Sequence, residues 1–535
     1  MPGSTIFGRN LIAALLATAL CAAPQFALAQ KRGGTLVQIT QPEPPTLASY
    51  LSTSGPIGQV TAKIYDGLFE YGFDLKPQPS LAESWTVAPD GKTVTFKLRR
   101  GVKFHDGKPF TSADVQFTIM EVLKKVHPRG INTFKEVTAV ETPDAQTAIF
   151  KLANAAPYMM AALSGFESPM IPKHVFGSGD IRTHDSANKP VGTGPFKFVE
   201  WRRGELVRLD RNPDYWRSGE PYLDRIVVRF IPDSATRTAL LERGDAHVAG
   251  FGAVPYNDVK RLSALPSIEV TTKGYEMISP VVEILINTKR PPFDNVKVRQ
   301  AVSYAVNRKF AIDNIWFGFG KPATGAMSSN FKASGLYTDD VRNYNVPNAV
   351  ELANKLLDEA GFPRKADGTR FEIVHDITPY GEEWQRFGEA VQQQLAQVGI
   401  KATLRYEDVP TWLKRTYTDY DFSLTSNFLY NLADPVLGVH RAFHSALIKQ
   451  GTVFVNGSRW SSPQTDELMN KAALEPDAAT RGALYAQLQK LTAEAAPIVW
   501  MLELQFPTVL NKRYKDVIVS PLGIYGAYNR AWLDN

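Results

Sequence analysis

Residues 382–406 read EEWQRFGEAVQQQLAQVGIKATLRY. Trp384, Phe387, Val391, Leu395 and Val398 recur at the spacing of one helical face, so Glu382 to Val398 is expected to be a helix with that stripe buried. Gly399 is a helix stop. Ile400, Ala402, Leu404 and Tyr406 then alternate with polar neighbours, as a half-buried strand does. Helix, tight turn, then strand is an α/β unit, and such units build sheets covered by helices.

The same alternation of elements runs outward in both directions. Val346 to Ala360 reads as a helix, with Glu351 and Lys355 paired at i,i+4 and Gly361 as its stop. Thr111-Ser112-Ala113-Asp114 has the form of a capping box, and Val115, Ile119, Val122 and Val126 behind it share one helical face. Val94, Phe96 and Leu98 alternate as a strand after the turn Pro89-Asp90-Gly91. No internal repeat, low-complexity tract or long flexible linker interrupts the chain. With 535 residues and roughly 150 residues per domain, about three or four domains are expected. Several domains without a linker imply that the chain passes between lobes more than once.

Composition excludes several classes. Hydrophobic residues make up 44% and charged residues 21% of the chain, which fits neither a disordered polyelectrolyte nor a membrane bundle. The formal net charge of +6 is thin for this length and has no Lys/Arg run behind it, so nucleic acid is not an expected partner. Leu11 to Leu20 is a short apolar run after Arg9, followed by Ala27-Leu28-Ala29 before Gln30. That is the pattern of a signal peptide over residues 1–29, with export to the periplasm and cleavage near Ala29. The single cysteine, Cys21, follows Leu20, which is not the small residue that lipidation needs. Cleavage after Ala29 leaves a chain without thiols, and hence without disulfides or thiolate metal sites.

Catalytic signatures are missing. The chain has no GxxxxGK[ST] loop, no HExxH and no GxSxG. His440 and His444 have metal-compatible spacing if helical, but two hydrogen-bonded side chains are the plainer reading. Two distant carboxylates acting on a glycoside would leave no local signal, so a secreted hydrolase stays as a remote alternative.

Several blocks carry a resemblance. Leu81-Ala82-Glu83-Ser84-Trp85 leads to Pro89-Asp90-Gly91-Lys92-Thr93, then to Phe96–Gly107 and to Pro109-Phe110-Thr111-Ser112-Ala113-Asp114-Val115. Gly192-Thr193-Gly194-Pro195-Phe196 and Arg211-Asn212-Pro213-Asp214-Tyr215-Trp216 follow. Asn287-Thr288, Pro292-Phe293-Asp294, Val298-Arg299-Gln300-Ala301 and Asn307-Arg308 come last. In this order the blocks closely resemble the family 5 extracellular solute-binding proteins, the dipeptide/oligopeptide-binding receptors of ABC importers. Read physically, the blocks are structural: Asp90-Gly91 a turn, Phe96 and Leu98 core, Thr111 a cap. His105-Asp106-Gly107 reads as a turn rather than an acid/base pair. Gly192 and Gly194 mark a bend or a close approach.

The resemblance implies an α/β, two-lobed periplasmic binding protein fold of class II type, with an additional α+β domain inserted in the first lobe. The first lobe would combine residues 31–65, 190–283 and 503–535, the extra domain 66–189, and the second lobe 284–502. Crossings near Leu285-Ile286-Asn287 and Met501-Leu502-Glu503 would form the hinge. The implied protein is a monomer and not an enzyme. It needs no cofactor and no metal, and it delivers its ligand to inner-membrane ABC permease subunits. A short peptide or peptide-like carboxylate compound is the main ligand reading. A sugar-derived compound, an opine-like compound or a metal complex is the alternative.

The resemblance also implies ligand contacts. Arg386 matches a helix position that pairs with a ligand carboxylate, a task suited to a guanidinium fork. The loop Ser426-Asn427-Phe428-Leu429-Tyr430-Asn431 precedes Asp434-Pro435 and places Phe428, Tyr430 and Asn431 at the ligand. Peptide receptors carry an amine-binding Asp where this chain has Asn431, which removes the charge-assisted bond to an ammonium. Asp434 belongs to the following turn. Thr53, Ser54 and Gly55 resemble a ligand-contacting loop of the first lobe. The mature protein is predicted to begin at or near Gln30. Intact-mass analysis of the exported protein checks this, and an acylated Cys21 at its N-terminus would overturn it.

Overall fold

A computed structural model describes residues 31–534. The expected signal peptide and its cleavage site lie outside the described residues.

Two large sheets organise the chain. The first has seven strands in the order Ile268–Thr271, Thr508–Asn511, Val248–Ala249, Thr35–Ile39, Arg225–Arg229, Leu206–Arg211, Phe196–Arg202. Its centre, Thr35–Ile39, pairs in parallel with both neighbours. Thr508–Asn511 returns from the far end of the chain to lie between Val248–Ala249 and Ile268–Thr271. The second sheet has six strands in the order Gly320–Pro322, Ile498–Leu504, Pro280–Ile286, Leu424–Tyr430, Phe371–Ile377, Ile400–Tyr406. Pro280–Ile286 and Ile498–Leu504 are buried at every position. Covered on both faces, they read as nearly unbroken apolar runs, each interrupted by one glutamate, Glu283 and Glu503.

The 382–406 stretch forms as its pattern predicts. The helix is Glu382–Gln397 and the strand Ile400–Tyr406, which pairs in parallel with Phe371–Ile377. All five stripe residues are buried, and Gly399 adopts φ +82. Burial along the strand fades toward Tyr406, because it is the edge of the sheet. The helix expected from Val346 begins only at Ala349, because Pro347 resists a helical neighbour and Asn348 takes the cap.

A third, antiparallel sheet of Ala82–Val87, Thr93–Leu98, Thr147–Leu152 and Val137–Asp144 forms the additional domain. Beside it, the helix opening at Ser112 is started by Asp114, whose carboxylate accepts from the Thr111 backbone N–H at 2.9 Å. The sequence blocks meet where this domain joins the first lobe. The Asp66 carboxylate accepts from Thr193 Oγ1 at 3.0 Å, Trp216 Nε1 at 2.9 Å and Tyr215 OH at 3.4 Å. His105 contacts Gly192 N at 3.3 Å and Gly194 O at 3.0 Å, and burial first of all pushes its pKa down to about 4. A neutral imidazole spent on two backbone groups is a brace, in keeping with the turn reading.

The chain passes between the two large sheets at 272–279 and at 505–507. The first passage lies before the expected Leu285-Ile286-Asn287, because Leu285 and Ile286 belong to the strand Pro280–Ile286 of the second sheet. A lobe boundary at 283/284 would cut that strand. The second passage follows Glu503, which is still within Ile498–Leu504.

A Cβ at Gly192 would stand 2.0 Å from the Ile64 carbonyl oxygen, a backbone atom that cannot swing aside. Gly192→Ala is therefore expected to cost about 3 kcal/mol. Gly325→Ala, with nothing within 4 Å of the added carbon, is expected to be near neutral. Denaturant melts of the two variants check the contrast.

Candidate ligand-binding cleft

The lobes face each other through aromatic rings. Phe251 follows the short strand Val248–Ala249 and sits at φ +56, a left-handed conformation unusual for a bulky residue. Its N–H donates to Tyr275 OH at 3.0 Å, and that hydroxyl meets Thr508 Oγ1 at 2.9 Å. Held there, the Phe251 ring touches Phe506 at 4.7 Å and Tyr525 at 5.8 Å between centroids, and Tyr430 of the second lobe at 6.4 Å. Tyr525 packs on Phe166 of the additional domain at 4.7 Å. On the second lobe, Tyr430 touches Phe428, which stacks on Trp384 at 5.7 Å and 26° and meets Tyr380 at 5.9 Å. Such rings give a ligand large rigid contact surfaces at small entropic cost.

Charge enters from three places. Arg129 of the additional domain is tied to Glu167 by two bonds, at 2.8 and 2.6 Å, and lies over the Phe166 ring. Arg441 of the second lobe donates from Nε to Gly438 O at 3.1 Å and from Nη2 to Tyr430 O at 3.2 Å, and makes no salt bridge among the described residues. Burial lowers its pKa to about 10, with Arg129 adding to the effect. Glu283 is 3% exposed, and its Oε1 is buried with no hydrogen-bond partner among the described residues. Burial pushes its pKa up to about 8, against the pull of Arg441.

The expected site residues fall into two groups. Thr53, Ser54 and Gly55 are half-buried, and a Cβ at Gly55 would lie 2.9 Å from Tyr525 OH and 3.3 Å from the Phe251 ring. This loop therefore meets the same ring cluster as Phe428 and Tyr430. Arg386 and Asn431 stand apart from it. Arg386 is exposed and pairs with Glu382 one turn earlier at 2.9 Å. Asn431 is buried, and its Oδ1 accepts from the Ser328 N–H at 2.6 Å. Asp434 caps the turn at Val436 N and is gripped by Arg481 at 2.7 and 2.8 Å.

The helical premise for a His440/His444 pair does not hold. The helix His440–Phe443 ends before His444, His440 contacts Tyr485 OH at 3.0 Å, and His444 contacts Asn470 Oδ1 at 3.1 Å. No cluster of three metal-type ligands exists among the described residues. Phe251, Tyr525, Phe166, Arg129, Arg441 and Glu283 were not legible as site residues. Two left a trace: Glu283 as the lone charge in an apolar strand, and Phe251 as an aromatic between Gly250 and Gly252.

The model of the bacterial extracellular solute-binding proteins, family 5, matches residues 76–448. The chain belongs to this family. Heme-binding protein A of Haemophilus influenzae is 29% identical over 498 residues, which covers 87% of this chain and 86% of that protein. The glutathione-binding protein GsiB of Pectobacterium atrosepticum is 29% identical over 537 residues, with 97% of each chain covered. Among solved structures, the oligopeptide-binding protein AppA from Bacillus subtilis in complex with a nonapeptide superposes with a TM-score of 0.78 at 26% identity. That match covers 95% of this chain and all of AppA. The fold is thus the two-lobed fold of family 5 receptors, a family of substrate-binding proteins of ABC transporters rather than of enzymes. No helix among the described residues is long and apolar enough to cross a membrane.

The Glu283 carboxyl sets a pH dependence of stability in this family 5 protein. Its folded pKa lies above the ordinary carboxylate value, so the folded state favours the protonated acid. Stability is lost as pH rises from about 4.5 toward 8. Glu283→Gln should therefore melt with the parent near pH 4 and above it at pH 8, by a few kcal/mol as an order of magnitude. Thermal melts at the two pH values check this.

Proposed function

We propose that the protein is the periplasmic receptor of an ABC importer, and that it captures a short peptide or peptide-like carboxylate compound between its lobes. The observation that carries the reading is an aromatic cleft spanning both lobes, with a guanidinium, Arg441, that makes no salt bridge among the described residues. Phe251, Tyr525 and the Thr53–Gly55 loop take one side of the ligand, Phe428 and Tyr430 the other. Arg441 takes a carboxylate, and Arg386 is a second, exposed partner that exchanges Glu382 for the ligand. The ligands named for the relatives support this: heme, glutathione and a nonapeptide all bear carboxylates.

Contacts made only when both lobes reach the ligand shift the population toward the closed form, which is the form that docks on the permease. The receptor acts as a monomer and returns its ligand unchanged. Asn431 keeps its bond to Ser328 and offers a ligand amine no charge, so a free peptide amine is not read at that position.

Mass spectrometry of the small molecule retained by the natively purified protein tests the reading. A carboxylate compound of peptide character is expected, whereas a neutral sugar or a turned-over product would overturn it. With that compound, calorimetry should show Arg441→Ala weakening binding by about 2–4 kcal/mol, the cost of stranding a carboxylate in a desolvated site. Arg386→Ala should cost about 1 kcal/mol or less, because an exposed pair is screened.

A further inference from the structure

Each lobe grips one end of the passage at 272–279, and the two grips meet at a single residue. The first lobe holds the chain up to Met277. Met277 N donates to Pro521 O at 3.2 Å, and Tyr275 OH is bonded to Phe251 N and Thr508 Oγ1. The second lobe holds the other end. Asn431 N donates to Ser279 O at 3.0 Å, Asn330 Nδ2 to Ser279 Oγ at 2.9 Å, and Leu432 N to Ile278 O at 3.1 Å. Ser279 is bonded in both directions. Its N–H donates back to Tyr275 O at 2.8 Å, and its hydroxyl to Glu276 O at 2.6 Å, inside the turn that the first lobe holds.

The backbone is strained where the grips meet. Ser279 stands at φ +45, and Leu432, on the second-lobe side, at φ +58, in the left-handed region that favours glycine. The torsion φ of Ser279 lies between an N–H fixed to the turn and a carbonyl fixed to the second lobe. The relative placement of the lobes therefore sets its value. Leu432 is tied to the same placement, because its side chain shares a cavity wall with Met277 and with Leu522 of the first lobe. In this structure the lobes are together: Phe251 meets Tyr430 at 6.4 Å and Tyr256 meets Phe319 at 5.9 Å.

The passage at 505–507 is divided in the same way. Gln505 N donates to Phe319 O of the second lobe at 3.2 Å, while the next side chain, Phe506, packs on Tyr275 at 5.5 Å. Glu276, Ser279, Asn330 and Gln505 border one cavity between the two passages, which leaves the turn room to move.

We propose that Ser279 is a sprung pivot. Its left-handed backbone is carried only while the lobes are together. It relaxes to the extended conformation of the strand that follows when the turn Tyr275–Ser279 lets go and the lobes part. An L-residue held left-handed is disfavoured by a factor of about five or more. The receptor is thus biased toward reopening: ligand contacts outweigh the spring on closure, and loss of the ligand releases it. The pivot rests on the reading of lobe closure and adds the residue that sets its balance.

Single-molecule fluorescence transfer tests the pivot, with dyes on Lys260→Cys of the first lobe and Gln393→Cys of the second, both exposed positions. The only natural cysteine, Cys21, lies in the expected signal peptide, so the mature chain takes label at these two sites alone. The protein is measured as natively purified, and again after unfolding in guanidinium and refolding free of small molecules. Ser279→Gly and Ser279→Ala lose the same hydroxyl and differ in how readily they accept a left-handed backbone. After refolding, the glycine variant should show a closed-to-open ratio about fivefold or more above that of the alanine variant. Ser279→Thr keeps the hydroxyl but crowds the backbone further, and should fall below the parent. Circular dichroism melts confirm that the variants fold; a purely local strain would shift the melts and leave the ratio unmoved. Equal ratios in the glycine and alanine variants, or a glycine variant that is the more open of the two, overturn the pivot while lobe closure stands. One unchanging dye distance in parent and variants, before and after refolding, overturns closure itself and the pivot with it.

Discussion

Both passages between lobes feed neighbouring strands. Pro280–Ile286 follows the passage at 272–279, Ile498–Leu504 precedes the one at 505–507, and the two strands pair with each other at the centre of the second sheet. The connection between lobes is thus two short segments leaving side by side from one rigid ladder, the first of them closing a turn at Tyr275–Ser279. Two parallel tethers permit rotation about the line between them and resist twisting. The second lobe also holds the ends of the tethers: Asn431 N donates to Ser279 O, Asn330 Nδ2 to Ser279 Oγ, and Glu503 gathers Ser328 and Ser329. Bending is thereby confined to the few residues between the sheets.

The two glutamates of this central ladder meet burial in opposite ways. Glu503 is a carboxylate that the fold uses, because three donors converge on it. Glu283 is one that the fold would do better without, since its ionised form opposes burial. Arg441 is the charge that works against this penalty. The strained backbone of Phe251 belongs to the same economy: a left-handed aromatic is retained because it brings a first-lobe ring against Tyr430.

Local chemistry made most of the fold legible. The stripe from Trp384 to Val398, the stop at Gly399, the Thr111 start and the alternation at Val94, Phe96 and Leu98 are each read within a dozen residues, and each formed. The passages were harder. The segment 272–279 has no compositional mark, whereas the apolar run after Pro280 looks the same whether it bridges lobes or lies inside one. The cleft was legible only in part. Its walls come from residues 53–55, 129, 166, 251, 428, 430, 441, 506 and 525, which no periodicity links, and which only the closure of two sheets brings together. Resemblance pointed to Phe428, Tyr430 and the Thr53 loop, which meet the ring cluster of the proposed cleft. Arg441 and Glu283 carry no such mark, because the missing salt bridge of the one and the unpartnered Oε1 of the other are properties of three-dimensional neighbours.

The strand Thr508–Asn511 lies inside the first sheet, hydrogen-bonded on both sides, although it comes from the end of the chain. During synthesis the second lobe has all its strands once Leu504 has emerged. The first lobe, begun at Thr35, is by then still missing an interior strand. Its ladder between Val248–Ala249 and Ile268–Thr271 closes only when the last segment arrives. The part of the protein made first is therefore the part that finishes folding last, and a chain broken off shortly before Thr508 keeps one complete lobe and one with an open seam.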